Sequence, residues 1–219
     1  MKKILLILSL VTLITGCSMV KIENQSYQEI IDTIFVSGKE LRNVSLEGYS
    51  YYLPKGVMLK KNSSCNSVLY YNHKKMYLYV DLVSYYHKVD NTYEVNNNSY
   101  TSLKIDKNDR KGYLEINKVD DYYFVEFMYN YAKVEAKVLE KDLKETVTVI
   151  AYILNSVQYN DTVLNTLIGE NSLDYGEEVF NIFKPKREDG TFLDYDELYQ
   201  YDDSTNSDED NIELDEDTE

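Results

Sequence analysis

The chain has 219 residues, with 23 Lys or Arg and 38 Asp or Glu, so its formal net charge is −15. Residues 170–219 hold 19 acidic and 3 basic residues, whereas residues 1–169 hold 19 acidic and 20 basic ones. Because the body is nearly neutral and has no basic stripe, the composition argues against a nucleic-acid partner. The length suits one domain with an appendage.

A basic and then apolar segment opens the chain. Two lysines at positions 2 and 3 precede the run Ile4–Ile14, which is too short to span a bilayer and is typical of a secretory signal. The tripeptide Ile14-Thr15-Gly16 directly before Cys17 resembles the lipobox of bacterial lipoproteins. The resemblance implies that residues 1–16 are a signal peptide and that lipidated Cys17 holds the protein at the extracytoplasmic face of the cell membrane. The alternative is an ordinary secretory peptide that happens to contain a cysteine.

A tether is predicted over residues 17–25, and a single α+β domain over residues 26–169. The domain begins with a helix, because Ser26 and Glu29 have the spacing of a capping box. Apolar residues then recur at helical spacing at Tyr27, Ile30, Ile31, Ile34 and Phe35. Gly38 is expected to end this helix.

Antiparallel strands are predicted next. They cover residues 41–46, 49–53, 57–60, 68–71 and 76–83. In the last of these, Met76, Leu78, Val80 and Leu82 alternate with Tyr77, Tyr79 and Asp81, which indicates a strand with one buried and one exposed face. The polar residues 84–110 are predicted to be a long loop or insertion, with a short strand near 102–105.

The pattern of alternation then returns. Leu114 and Ile116 face inward before a turn at Asp120-Asp121, and the next inward positions are Tyr123, Val125, Phe127 and Tyr129. The inward positions then change from odd-numbered to even-numbered residues, which requires a turn or bulge around residues 130–132. The inward residues of this strand are Val134, Ala136 and Val138, and the outward ones are Lys133, Glu135 and Lys137. A long helix follows, with Asp142 and Glu145 as its predicted cap and a broad apolar stripe to Val157. The chain is therefore predicted to be α+β, with an antiparallel sheet flanked by an N-terminal helix and a long closing helix.

One stretch resembles a known family. Gly48–Gly56 reads Gly-Tyr-Ser-Tyr-Tyr-Leu-Pro-Lys-Gly, which resembles the aromatic strand ending in Leu-Pro-x-Gly of the PsbP-like family. That family includes bacterial lipoproteins and the extrinsic subunit of the photosynthetic oxygen-evolving complex. With the first helix, the meander and the closing helix Asp142–Val157, the resemblance covers residues 26–160. It implies an α/β/α sandwich that serves as an accessory or assembly factor, and it implies no site residues because the family has no shared catalytic motif.

The C-terminal fifty residues are predicted in two parts. Residues 170–198 carry enough apolar side chains to dock as a partly ordered extension, whereas the acidic residues 199–219 are predicted to be a disordered tail. Their carboxylates do not follow the spacing of a calcium loop. No metal site is therefore predicted.

Catalytic motifs are not found in the sequence. His73 and His87 fall in a predicted turn and a predicted loop, and an envelope enzyme would need one of them beside a nucleophile. Asp120-Asp121 is explained by turn geometry. With Cys17 lipidated, Cys65 has no cysteine partner in the chain. We therefore predict neither an enzyme nor a cofactor.

Tyrosine is abundant, at 23 residues. AT-rich coding explains such a count, but tyrosines on a sheet face also offer amphipathic contact area at low entropic cost. We predict that Tyr77, Tyr79 and Tyr122 form a binding face for an unknown envelope protein or peptide. The predicted function is a non-catalytic interaction or assembly module, and the alternative is a lipoprotein that binds a small ligand or a peptide.

Overall fold

The computed structural model describes residues 22–37, 41–63, 65–90, 92–169 and Pro185. These residues form antiparallel sheets with helices, which confirms the predicted α+β class. The predictions for the signal peptide, Cys17, Gly38, the extension and the acidic tail lie outside the described residues. None of the helices described has the length and apolar character needed to cross a membrane.

The described residues contain four α-helices and ten strands. The helices are α1 (Tyr27–Val36), α2 (Leu82–Tyr86), α3 (Leu143–Ser156) and α4 (Asp161–Leu164). The strands are β1 (Val44–Leu46), β2 (Tyr49–Tyr51), β3 (Val57–Asn62), β4 (Asn66–Tyr71), β5 (Lys74–Val80), β6 (Thr101–Lys107), β7 (Arg110–Val119), β8 (Tyr122–Tyr129), β9 (Ala132–Val138) and β10 (Gln158–Tyr159).

The strands form two antiparallel sheets. The large sheet has seven strands in the order β3-β4-β5-β9-β8-β7-β6, and the small sheet has three in the order β1-β2-β10. Helices α1 and α3 pack against each other on one side of the large sheet, which we call the helix face. Phe35 of α1 lies 4.4 Å from Tyr129 and 6.4 Å from Phe127 between ring centroids. The opposite side of the large sheet is called the second face.

The two long helices begin differently. At α1 the predicted capping box is confirmed: the Glu29 backbone N–H donates to Ser26 Oγ at 3.2 Å, and the Ser26 N–H donates to Glu29 Oε2 at 2.7 Å. At α3 the predicted cap is wrong, because Asp142 makes no side-chain cap bond. Asp142 and Glu145 instead form ion pairs with Lys74, at 3.2 and 3.4 Å, which attach the helix to β5.

Tight turns connect the long strands. Asn72-His73 joins β4 to β5 and Asn130-Tyr131 joins β8 to β9, with positive φ at all four residues. Asp120-Asp121 joins β7 to β8, as predicted. The turn at Asn130-Tyr131 accounts for the predicted switch in inward parity.

Several boundaries differ from the sequence predictions, and two of the differences are substantial. The predicted strand 76–83 ends at Val80, because Asp81 Oδ1 accepts the Ser84 N–H at 2.8 Å and starts α2 at Leu82. The predicted loop 84–110 holds the end of α2, all of β6 and the start of β7, and the short strand predicted near residues 102–105 is confirmed within β6. β6 pairs with β7 along its full length, with Leu103 and Ile105 opposite Leu114 and Gly112.

Candidate interaction surfaces

The three tyrosines predicted to bind a partner do not form one exposed face. Tyr77 and Tyr79 are only 4% and 8% exposed, whereas Tyr122 is 42% exposed. All three side chains belong to the second face. Tyr77 lies in line with Glu135 of β9 and Glu126 of β8, and Tyr122 is four residues further along β8, so Tyr77 and Tyr122 are not neighbours. The expectation of an exposed tyrosine pair in β5 is therefore wrong.

The second face is buried because other parts of the chain pack against it. Tyr93, from the segment between α2 and β6, stacks on Tyr113 of β7 with centroids 4.5 Å apart and an interplanar angle of 7°. Its hydroxyl donates to Glu115 Oε2 at 2.6 Å. Burial, with the nearby carboxylates, raises the pKa of Tyr113 well above its ordinary value. The segment predicted as a polar loop thus covers part of this face.

A row of buried glutamates crosses the second face, and sequence reasoning missed it. Glu115, Glu126 and Glu135 lie directly opposite one another on β7, β8 and β9, each at most 1% exposed. Lys133 Nζ lies 2.7 Å from Glu135 Oε1 and 3.5 Å from Glu126 Oε1. Lys133 and Glu135 were predicted to lie on the outward, solvent-exposed face of β9. They do lie on the face opposite the helices, but that face is buried at both positions. Strand parity in the sequence could have shown that the glutamates share a face, but not that it is buried.

The small sheet carries a polar groove at its surface. Ser45, Ser50 and Gln158 are direct cross-strand partners on β1, β2 and β10, so their side chains form one row. The row opens into a groove of about 500 Å³, bounded on one side by residues 160–162 at the start of α4. Its lining contains hydroxyl and amide groups and one carboxylate, that of Asp161. No sequence pattern indicated this site, because β10 is only two residues long.

Specific contacts hold the groove in shape. Gly48 has φ +90° in the β1–β2 turn, and its carbonyl accepts the Asn160 N–H at 2.8 Å. The Tyr85 hydroxyl donates to Asp161 Oδ1 at 3.0 Å, while the Tyr85 ring stacks on Tyr159 at 3.7 Å. Burial and the bond to Asp161 raise the pKa of the Tyr85 hydroxyl. These contacts fix the groove wall relative to the small sheet.

The residues with possible catalytic roles are dispersed. His73 is exposed in the β4–β5 turn and His87 is exposed at the end of α2. Cys65 is half-buried, and burial together with Asp81 raises its pKa, which lowers the fraction of reactive thiolate. Within the described ranges, no group of three or more His, Cys, Asp or Glu has an arrangement suited to a metal ion.

The chain enters the domain at the end opposite the groove. Residues 22–24 form a helical turn, and Lys144 Nζ, at the start of α3, donates to the Glu23 carbonyl. The last residues of the predicted tether are therefore part of the folded body. Tyr27 follows, and its burial and the nearby Tyr100 and Glu140 raise its pKa to about 12. We call this the tether end.

Exposed apolar side chains are concentrated at the tether end. Val119 and Tyr122 are paired across the β7–β8 turn, and Leu139 directly follows Val138, the partner of Tyr123. Tyr100 packs edge-on against Tyr123 with centroids 4.7 Å apart. The described part of the chain exposes ten large apolar residues, and five of them lie at this end. We call these five the tether-end patch: Ile22, Tyr100, Val119, Tyr122 and Leu139.

No family model and no curated protein sequence matches this chain. The lipobox and the PsbP-like resemblance therefore stay predictions. The groove and the tether-end patch are the two surfaces on which a function can be argued.

Proposed function

We propose that this protein is a membrane-anchored extracytoplasmic lipoprotein that acts as a non-catalytic interaction module, and that its recognition site is the polar groove. The observation that carries the proposal is the in-register row Ser45, Ser50 and Gln158, which opens into about 500 Å³ of accessible space. Ligand pockets commonly have volumes of about 300–1,000 Å³, and this open, polar groove falls within that range. The partner proposed is a polar segment of an envelope protein.

The position of the groove supports this proposal. Helix α3 starts beside Glu23 at the tether end and finishes at Ser156, two residues before β10. Its 14 residues span roughly 20 Å at 1.5 Å per residue. A lipid on Cys17 would hold the N-terminal end of this helix near the membrane and leave the groove at the far end accessible to other envelope components.

The chemistry of the groove favours a neutral polar partner. Serine hydroxyls and the Gln158 amide both donate and accept hydrogen bonds, as peptide groups require. A partner with several phosphate or carboxylate groups is disfavoured, because the charged group in the lining is Asp161. The shape of the groove is set by backbone contacts at Gly48, so it needs little ordering on binding.

Site-specific crosslinking tests the recognition site. A photoreactive residue at Ser50, in the intact lipoprotein in its native envelope, should give an adduct of defined mass, whereas the same residue at exposed Lys60 of β3 should not. Ser50→Tyr, which fills the groove, should abolish an adduct formed from a photoreactive residue at Gln158. Equal yields at Ser50 and Lys60 would refute the groove as the binding site.

The anchor is tested separately. Because the thioether requires the Cys17 thiol, Cys17→Ala should eliminate incorporation of labelled fatty acid and leave a precursor or a mislocalised protein. Cys65→Ala is the control and should keep full labelling. Label that persists in the Cys17→Ala protein would contradict the lipoprotein assignment.

A small-molecule ligand is the second candidate, favoured by the volume of the groove. Native mass spectrometry of the protein released gently from membranes should then show a bound species of low mass. That species should be absent from the Ser50→Tyr variant. A bound small molecule without a crosslinked protein would favour this candidate over the interaction module.

A further inference from the structure

We propose that the tether-end patch rests on the lipid surface of the membrane and so sets the orientation of the domain, with the groove facing away. This inference depends on lipidation of Cys17 in the proposed function. The patch consists of Ile22, Tyr100, Val119, Tyr122 and Leu139, all exposed. The occupant proposed is the headgroup region of the bilayer.

The patch lies only a short distance along the chain from Cys17. Ile22 follows Cys17 by five residues, which can span at most roughly 18 Å when fully extended. Ile22 is itself part of the patch, and Glu23 is held to α3 by Lys144. A lipid at Cys17 therefore keeps the patch close to the bilayer, whatever path residues 17–21 take.

The side chains of the patch are of kinds found at membrane surfaces. Tyrosines are enriched at membrane–water interfaces, where the ring contacts apolar groups and the hydroxyl remains hydrated. Tyr100 and Tyr122 are exposed in this way beside Val119 and Leu139. Lys137 lies over the Tyr122 ring, with Nζ 4.8 Å from its centroid.

Charge neither drives nor prevents this contact. Lys118 and Lys141 are exposed at this end, and so are the acidic residues Glu23, Asp120, Asp121 and Glu140. Attraction to anionic lipids therefore does not drive the contact, and the apolar and aromatic side chains account for it. We expect it to change little with ionic strength, unlike the contact of a basic surface.

The anchor makes a weak surface sufficient. A patch of five partly exposed side chains would bind a membrane poorly by itself. A short tether raises the effective concentration of the surface near the bilayer to the order of mM, so that weak contacts become populated. The lipid supplies the affinity, and the patch selects the side of the domain that faces the membrane.

Tryptophan fluorescence tests the orientation directly, because the chain contains no Trp. Tyr122→Trp places a reporter in the patch. Val89→Trp is the matched control, since Val89 is 41% exposed against 42% for Tyr122 and is held at the opposite end of β8 by the Tyr131 hydroxyl. Each lipoprotein is reconstituted in vesicles of phosphatidylethanolamine and phosphatidylglycerol with brominated acyl chains.

We expect the bromolipids to quench the Tyr122→Trp protein at least twofold more than the Val89→Trp protein, with emission at shorter wavelength for the former. The difference should persist at high salt. Equal quenching overturns the inference, as does a difference that disappears at high salt. Leu139→Trp serves as a second reporter if the first variant does not fold.

The same samples separate the two proposals. Absence of fatty-acid label on the protein would refute the lipoprotein assignment. A labelled protein that is retained by vesicles, but quenched equally at both positions, would refute only the membrane orientation. If an envelope protein rather than lipid covers the patch in the cell, the labelled protein would be retained by pure vesicles and quenched equally at both positions.

Discussion

The two faces of the seven-stranded sheet are both buried at their centres but built differently. Val125, Phe127 and Val134 on the helix face are fully buried, and so are Glu115 and Glu126 on the second face. On the helix face an apolar stripe meets the apolar stripes of α1 and α3, whereas the second face collects glutamates, lysine and tyrosines. Alternation in a strand therefore identifies its two faces, but the exposure of the polar face depends on what packs over it.

The two faces also depend on different interactions. Burial of apolar area is favourable without any particular partner and is not directional. A buried carboxylate needs hydrogen bonds or ion pairs in defined positions, because unpaired burial is costly. Glu115 has them in the Tyr93 hydroxyl at 2.6 Å and the amides of Asn117 and Asn96 at 3.1 and 3.3 Å. The second face should therefore be sensitive to the loss of single polar atoms.

The largest effect is expected on the helix face. Phe127→Ala in β8 should lower the free energy of unfolding by about 3–5 kcal/mol, because it removes a fully buried ring that contacts Phe35 and leaves a cavity. Urea unfolding measures the change. Tyr122→Ala in the same strand is the control and should change stability by no more than ~0.5 kcal/mol. Equal effects of the two substitutions would contradict the assignment of faces.

A substitution on the second face of the same strand sharpens the comparison. Phe124 lies on that face and is 8% exposed. Phe124→Ala should cost about 2–4 kcal/mol, slightly less than Phe127→Ala, because the ring is not fully enclosed. A cost below ~0.5 kcal/mol, typical of surface positions, would mean that the second face is open to solvent, as the sequence suggested.

The smallest effect tests the polar bonds themselves. Tyr93→Phe removes only the hydroxyl that donates to Glu115, while the ring can still stack on Tyr113. A hydrogen bond to a charged group stabilises by roughly 1.5–3 kcal/mol, so we expect a loss of about 1–3 kcal/mol in thermal or urea unfolding. Tyr100→Phe, at an exposed ring, is the control. No difference between the two variants would show that this bond contributes nothing to stability.

Much of the fold could be predicted from the sequence. The capping box at Ser26, the inward residues of β8 and β9 and the buried stripe of α3 were predicted correctly, because each depends on residues close together in the chain. The cap of α3 was not, since Asp142 and Glu145 bind Lys74, nearly 70 residues earlier. Strand β6 was predicted only as a short strand near residues 102–105, whereas it covers Thr101–Lys107, because its outer residues are polar and pair with β7.

The candidate sites were less accessible to sequence reasoning. Tyr122 was predicted to be exposed, and it is, but Tyr77 and Tyr79 are not. The groove joins β1, β2 and β10 from positions more than 100 residues apart, and β10 has no recognisable pattern. Its lining residues are common polar types whose proximity only the fold produces.

Propensity and periodicity are local properties, so the α+β class, the hairpin turns and the two faces of each strand follow from the order of residues. The burial of the polar face, the meeting of Ser45, Ser50 and Gln158, and the entry of the chain beside Tyr100 and Tyr122 follow from the folded arrangement. Those outcomes depend on contacts between distant segments, which the order of residues along a single strand or helix does not specify.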